Sequence, residues 1–141
     1  MPMPYFAPER LSDARAEITK YDDDLRVIVN AGLRSVVSLV NSRHSDIFSS
    51  AGIDFCAIPI PDGHAPNPDQ IGQFKRFCES CRVPIAIHCE GGVGRTGTMI
   101  ALWLIDHGLS SDAAIREVRD VMPTAIETST QKRFLRELPQ G

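Results

Sequence analysis

The chain has 141 residues, with 15 Lys and Arg against 18 Asp and Glu, a formal net charge of -3 and only 6% aromatic residues. That length suits one domain with a real core and is too short for two. The mildly acidic balance, without a basic tract, excludes a dedicated nucleic-acid binder.

Residues 1–20 carry no assignable element. Over 22–31, Leu25, Ile28 and Val29 keep helical spacing, and Gly32 is a stop signal. Residues 35–40 read as a buried strand, and 41–52 as a polar loop with room for one helical turn. A second strand is predicted over 55–60. A helix over 68–82 follows, carrying Ile71, Phe74 and Phe77 on one face. Residues 83–88 form the third strand. The helix predicted over 95–107 is apolar on nearly every side, as a central buried helix is. An amphipathic helix over 110–122 stops at Pro123, and a last helix covers 128–138. Strands alternating with helices imply an α/β fold: a mostly parallel central sheet flanked by helices, in a single domain over 1–141 without internal repeats.

The third strand feeds the run His88-Cys-Glu-Gly-Gly-Val-Gly-Arg-Thr-Gly97, where a thiol, a glycine-rich backbone and a fixed positive charge share one loop. Thiolate is the reactive form of cysteine, and with a free pKa of about 8.5 little of it exists at neutral pH without help. A helix N-terminus offers unpaired N–H groups and about half a positive charge, which favour an anion. Cys89 stands just before the helix that starts near Arg95, so its sulfur is expected to meet that positive end. Gly91, Gly92 and Gly94 let the backbone curl through positive φ, turning the N–H groups of Glu90, Gly91, Gly92, Val93, Gly94 and Arg95 toward a phosphate. The Arg95 guanidinium can take two phosphoryl oxygens at once, which a lysine cannot. The Thr96 hydroxyl is placed to stabilise a departing sulfur, and His88 to fix the loop by hydrogen bonding.

Two other motifs share these letters. Gly92-Val-Gly-Arg-Thr-Gly97 reads G-x-G-x-x-G, but the acidic residue a dinucleotide fold needs about 20 residues on falls within the predicted helix of Ile115 and Val118. A nucleotide-binding P-loop fails because no Gly-Lys-Ser/Thr can be aligned at Arg95.

The stretch HCEGGVGRTG resembles the signature loop of the protein tyrosine phosphatase superfamily, Cys-x5-Arg followed by Ser or Thr. The segments 60–71 and 126–131, and their spacing to Cys89, are similar to small atypical dual-specificity phosphatases, over about residues 22–138. Gly94-Arg95-Thr96 stands where many dual-specificity members have Ser-Arg-Ser. The resemblance implies a cysteine-phosphatase fold and hydrolysis through a phospho-cysteine. It implies phosphotyrosine and phosphoserine/threonine proteins as substrates, with no metal or other cofactor. A small domain has little chain from which to build the deep walls that would exclude phosphoserine, so dual specificity is expected.

Expulsion of the leaving oxygen needs a general acid, worth about 100-fold or more in rate. Asp62 follows the second strand and opens a loop rich in Gly, His and Pro. Loops at the carboxyl ends of parallel strands gather at one edge, so Asp62 and Cys89 are expected to converge. The resemblance gives the acid role to this aspartate. Asp69 is explained by Asn67-Pro68-Asp69 as an N-cap and first turn, and Asp54 by a strand start. The resemblance suggests that Gln131 helps to position the hydrolytic water, whereas Thr128-Ser-Thr-Gln131 is also a capping box. His44 and His64 read as loop or rim residues.

Cys78-Glu-Ser-Cys81 lies late in a helical pattern, away from the helix start that a thioredoxin-type pair requires. It reads as two small apolar residues on a buried face. A zinc site would need two further ligands, and no second C-x-x-C or H-x3–5-H pair exists. No apolar run approaches the ~20 residues that span a bilayer. Residues 1–20, broken by prolines and charges, lack the layout of a signal peptide. A soluble cytoplasmic protein with reduced thiols is therefore expected. Two alternatives stay open: a phosphoinositide or RNA 5′-triphosphate phosphatase, disfavoured by Glu90 in the loop, and a non-catalytic phosphoprotein-binding module, which has no need of Cys89, Arg95 and Asp62 together.

Overall fold

Val36 and Val37 sit at the centre of the sheet with no exposed surface. They belong to β1, Ser35–Ser38, all four of whose residues are buried because parallel strands flank it on both sides. The computed structural model describes residues 32–40, 45–82, 84–89 and 94–139. The predicted helix over 22–31, His44 and loop residues 90–93 lie outside them, as does residue 83. Strand β2 is Asp54–Ala57 and β3 is Ile85–His88, in the order β2-β1-β3. Ser35 is in register with Asp54 and Ile85, and Ser38 with Ala57 and His88, so every pairing is parallel.

All three strands are shorter than hydropathy predicts, and for β2 and β3 prolines are the reason. Pro84 has no N–H to give a ladder; its carbonyl instead accepts from the Arg34 and Ser35 N–H groups at 3.0 and 3.3 Å, and β3 starts one residue later. After β2 the chain still runs beside β1, with Ile58 N–H on Ser38 C=O and Ile60 N–H on Leu39 C=O. Pro59 and Pro61 interrupt that ladder.

The predicted polar loop contains a helix, α1, Ser45–Ser50. Its Phe48 is buried and stacks on Phe55 of β2 at 5.1 Å between ring centroids. Helix α2, Pro68–Ser80, opens with the expected Asn67 cap, Pro at the first position and a reciprocal box with Gln70, and it ends at Cys81. Helix α3 is Gly94–Asp106, α4 is Ser111–Val121 and α5 is Ser129–Glu137. In α3, Gly94 to Met99 are all buried, followed by Ala101, Leu102 and Ile105, while Trp103 reaches solvent. Helix α3 packs against β3, α4 and α5. Val37, Ile58, Phe74, Met99, Ile115 and Leu135 thus join one core. No helix among the described residues is long and apolar enough to cross a membrane.

Cys78 and Cys81 depart from the buried-pair expectation. Both are half-buried free thiols; Cys78 packs on the core, while Cys81 is the residue that caps α2. Burial, with Cys81 and Cys56 nearby, pushes the Cys78 thiol up from an ordinary 9.0 to about 12.

Candidate active site

Three parallel strands deliver their carboxyl ends to one edge, and the chemistry-bearing residues follow those ends. Cys89 comes directly after β3 and is 1% exposed. Arg95 lies in the first turn of α3 and is buried. Its Nη1 donates to Ile60 C=O at 2.8 Å, and its Nη2 lies 3.7 Å from Asp62 Oδ1. One guanidinium thus joins the end of the β2 segment to the loop that carries Asp62. The Asp62 side chain is 86% exposed, so water screens the ion pair. The buried bond to Ile60 ties the arginine to the end of the β2 segment.

Asp62 occupies the second place of a turn closed by His64 N–H on Pro61 C=O at 3.0 Å. Gly63 follows at φ +78, the left-handed conformation that the third place of such a turn requires. His64 Nδ1 lies 2.9 Å from Asp62 C=O; a carbonyl only accepts, so that ring nitrogen carries the proton. His64 is exposed, as a rim residue is. Thr96 is buried beside Arg95, and Thr98 Oγ1 donates to Gly94 C=O at 2.6 Å. His88 ends β3 opposite Ser38. Glu90, Gly91, Gly92 and Val93 lie outside the described residues.

Gly94 serves a different purpose from the one its sequence suggests. It is the first residue of α3 and does not take a positive φ. What it supplies is space: a Cβ there would lie 2.5 Å from Glu127 Oε1 and 3.2 Å from Gln131 Oε1. Gly97, likewise, lets α3 approach Ala125, whose Cβ would be 2.7 Å from an added methyl.

Glu127 is the residue that sequence reasoning missed. Its Oε1 accepts from Gly94 N–H at 2.9 Å, so a carboxylate sits on an amide expected to face phosphate. The turn that delivers it is strained: Ile126 has φ 60, a conformation that a β-branched side chain rarely adopts. Arg119 of α4 holds that turn, with Nε on Ala125 C=O at 3.1 Å and Nη2 on Ile126 C=O at 2.9 Å. No local signal marks Glu127, because it and its partner Gly94 are 33 positions apart.

Gln131 is 1% exposed and forms the predicted capping box with Thr128. Its Oε1 accepts from the Glu127 and Thr128 N–H groups at 2.9 and 3.2 Å, and its Nε2 donates to His64 C=O at 3.3 Å. Thr128 Oγ1 donates to Gly63 C=O at 2.8 Å. Asp69 and Asp54 stand apart. Asp69 is in the first turn of α2. Asp54 opens β2 at the opposite edge of the sheet, where its hydrogen bonds from Arg82 hold its carboxyl below the usual carboxylate value. No group of three His, Cys, Asp or Glu among the described residues could hold a metal ion.

A thiol ending one parallel strand, a buried arginine opening the next helix and an aspartate beyond another strand of the same sheet define the cysteine-phosphatase class of α/β fold. Residues 13–109 match the family described as "Polymorphic toxin system, DSP-PTPase phosphatase", and the chain belongs to this dual-specificity branch of the protein tyrosine phosphatase superfamily. It is 32% identical over 109 residues to the dual specificity protein phosphatase CDC14B of Mus musculus, a match covering 75% of this chain and 22% of that protein. The chain therefore spans about a fifth of the length of that curated relative. Among solved structures, it is 34% identical to Tk-PTP in its active form, with a TM-score of 0.70 and coverage of 83% of this chain and 84% of that one. Kinase associated phosphatase, solved with serine in place of its catalytic-site cysteine, shares the fold at a TM-score of 0.75 and 23% identity, with coverage of 89% and 77%.

Proposed function

We propose that this chain is a cysteine-dependent phosphomonoester hydrolase, acting as a single domain over 1–141 on phosphotyrosine and phosphoserine/threonine proteins. The observation that carries this is the buried Arg95 guanidinium, bonded to Ile60 C=O and 3.7 Å from Asp62 at the edge where Cys89 leaves β3.

In the first step the Cys89 thiolate attacks phosphorus. The bond from phosphorus to the leaving oxygen breaks, and Asp62 gives that oxygen its proton. Arg95 takes two equatorial oxygens in bidentate fashion, and the N–H groups of Glu90 to Gly94 take up the remaining charge. A phosphoryl oxygen approaching the Gly94 N–H displaces the Glu127 carboxylate from it. In the second step, water attacks phosphorus with Asp62 as base, and the sulfur–phosphorus bond breaks to return phosphate and thiolate. Thr96 donates to the departing sulfur, while His88 fixes the loop that carries it. These steps use only the chain's own groups and water.

The carboxylates of Glu90 and Glu127 count against a phosphoinositide or RNA 5′-triphosphate substrate, because they would repel a polyanion. A mechanism that needs a reduced thiol supports work in a reducing compartment such as the cytoplasm.

The test is turnover of aryl phosphate, phosphotyrosine peptide and phosphothreonine peptide in the presence of chelator. Hydrolysis of all three, abolished by Cys89→Ser, is expected. Binding of the peptides without hydrolysis would identify a phosphoprotein-binding module instead.

A further inference from the structure

We propose that Thr128 and Gln131 are positioning residues: the cap of α5 is also a clamp that holds the loop of Asp62 over the cysteine site. The assignment rests on Asp62 being the general acid.

The Asp62 side chain cannot hold its own loop. It is 86% exposed and, among the described residues, makes only a 3.7 Å pair with Arg95. Three successive carbonyls of the loop are instead engaged one by one. Asp62 C=O takes the local bond from His64 Nδ1; Gly63 C=O takes Thr128 Oγ1 at 2.8 Å; His64 C=O takes Gln131 Nε2 at 3.3 Å. The last two donors come from 65 and 67 positions away.

A helix cap alone does not require these bonds. Capping uses Thr128 Oγ1 as the acceptor for Gln131 N–H, at 3.1 Å, and Gln131 Oε1 as the acceptor for Thr128 N–H. Each side chain retains donor capacity after capping, and both spend it on the Asp62 loop. Gln131 is 1% exposed, and burying an amide is costly unless its hydrogen bonds are made. Packing agrees: a Cβ at Gly63 would lie 3.5 Å from Thr128 Cγ2. The left-handed Ile126, tied by Arg119, then brings the cap against the loop. Strain at one turn thus fixes the acid at another.

The full chain would be assayed as wild type and as Thr128→Ser, Thr128→Asp, Gln131→Glu and Asp62→Ala, using one aryl phosphate with a good leaving group and one with a poor one. Serine keeps both roles of Thr128. Aspartate keeps the cap acceptor but has no donor for Gly63, and glutamate at 131 has no donor for His64. Thr128→Asp and Gln131→Glu are expected to lower kcat on the poor leaving group about 10-fold, part of the roughly 100-fold range of general acid catalysis. The good leaving group should change less than about twofold, with serine restoring wild-type rates. Hydrogen exchange over residues 62–66, read by mass spectrometry, should quicken in the same two variants while thermal unfolding of Thr128→Asp stays near wild type.

If Asp62→Ala separates the two leaving groups but Thr128→Asp and Gln131→Glu do not, and exchange is unchanged, the clamp is overturned and the acid role stands. If Asp62→Ala fails to separate them, the acid role falls. Exchange then decides the clamp alone: faster exchange supports it, and unchanged exchange rejects it.

Discussion

Gly94→Ala places a methyl group where Glu127 now reaches the helix. The new Cβ would lie 2.5 Å from Glu127 Oε1, 3.2 Å from its Cδ and 3.2 Å from Gln131 Oε1. The two neighbours differ in what they can yield. Glu127 is exposed and its carboxylate can swing into water, whereas Gln131 is buried and its Oε1 is held by two backbone N–H groups. Glu127 therefore leaves, and the 2.9 Å bond to Gly94 N–H is lost. A hydrogen bond to a charged group contributes about 1.5–3 kcal/mol, and replacing glycine in a helix returns up to about 1 kcal/mol. The net cost is about 1–2 kcal/mol, a fall in melting temperature of about 3–8 °C for a domain of this size. Thermal unfolding of wild type, Gly94→Ala, Glu127→Ala and the double variant closes the cycle. The methyl should cost less once Glu127 is gone, leaving only its 3.2 Å approach to Gln131 Oε1, and the coupling should exceed the ~0.5 kcal/mol expected of independent sites. An equal cost of Gly94→Ala in both backgrounds would show that Glu127 does not sit on that amide.

Glu127→Ala should itself tighten inhibition by inorganic phosphate, on the order of 10-fold at low salt and less at high salt, because it removes a competing and repelling carboxylate; unchanged or weaker inhibition would contradict this. Asp62→Ala should slow esters with poor leaving groups more than those with good ones, by about 100-fold against a few-fold, and equal slowing in steady-state assays would remove Asp62 from the acid role. The Cys78 thiol, pushed up to about 12 from an ordinary 9.0, holds its proton more tightly in the folded chain. Its contribution to stability is therefore complete below pH 9 and lost as pH rises toward 12. Denaturant unfolding across that range should show Cys78→Ala losing less stability than wild type, and parallel losses would contradict the shift.

Much of the fold was legible because its signals are local. The Asn67-Pro68 cap and the Thr128–Gln131 box declare two helix starts, and the structure contains both. Strand ends were misjudged where hydropathy continued past a proline, as at Pro59 and Pro84, since a missing N–H ends a ladder without changing the apolar pattern. That Asp62 would meet the cysteine loop was legible because parallel strand ends share one edge, and Arg95 of that loop lies 3.7 Å from Asp62. Glu127 and Arg119 could not. Their positions follow from an isoleucine at φ 60, a conformation that its own side chain disfavours and only tertiary contacts enforce. At Gly94 conformational freedom was expected, and room for two side-chain oxygens is what it provides.

The central claim is that the sulfur of Cys89 takes the phosphoryl group. Mixing the protein with radiolabelled aryl phosphate, quenching in acid within one turnover and mapping the labelled peptide tests it directly. Label on the peptide containing Cys89, absent from Cys89→Ser, is the predicted result. Turnover without any covalent label, or with label on a different residue, would contradict it.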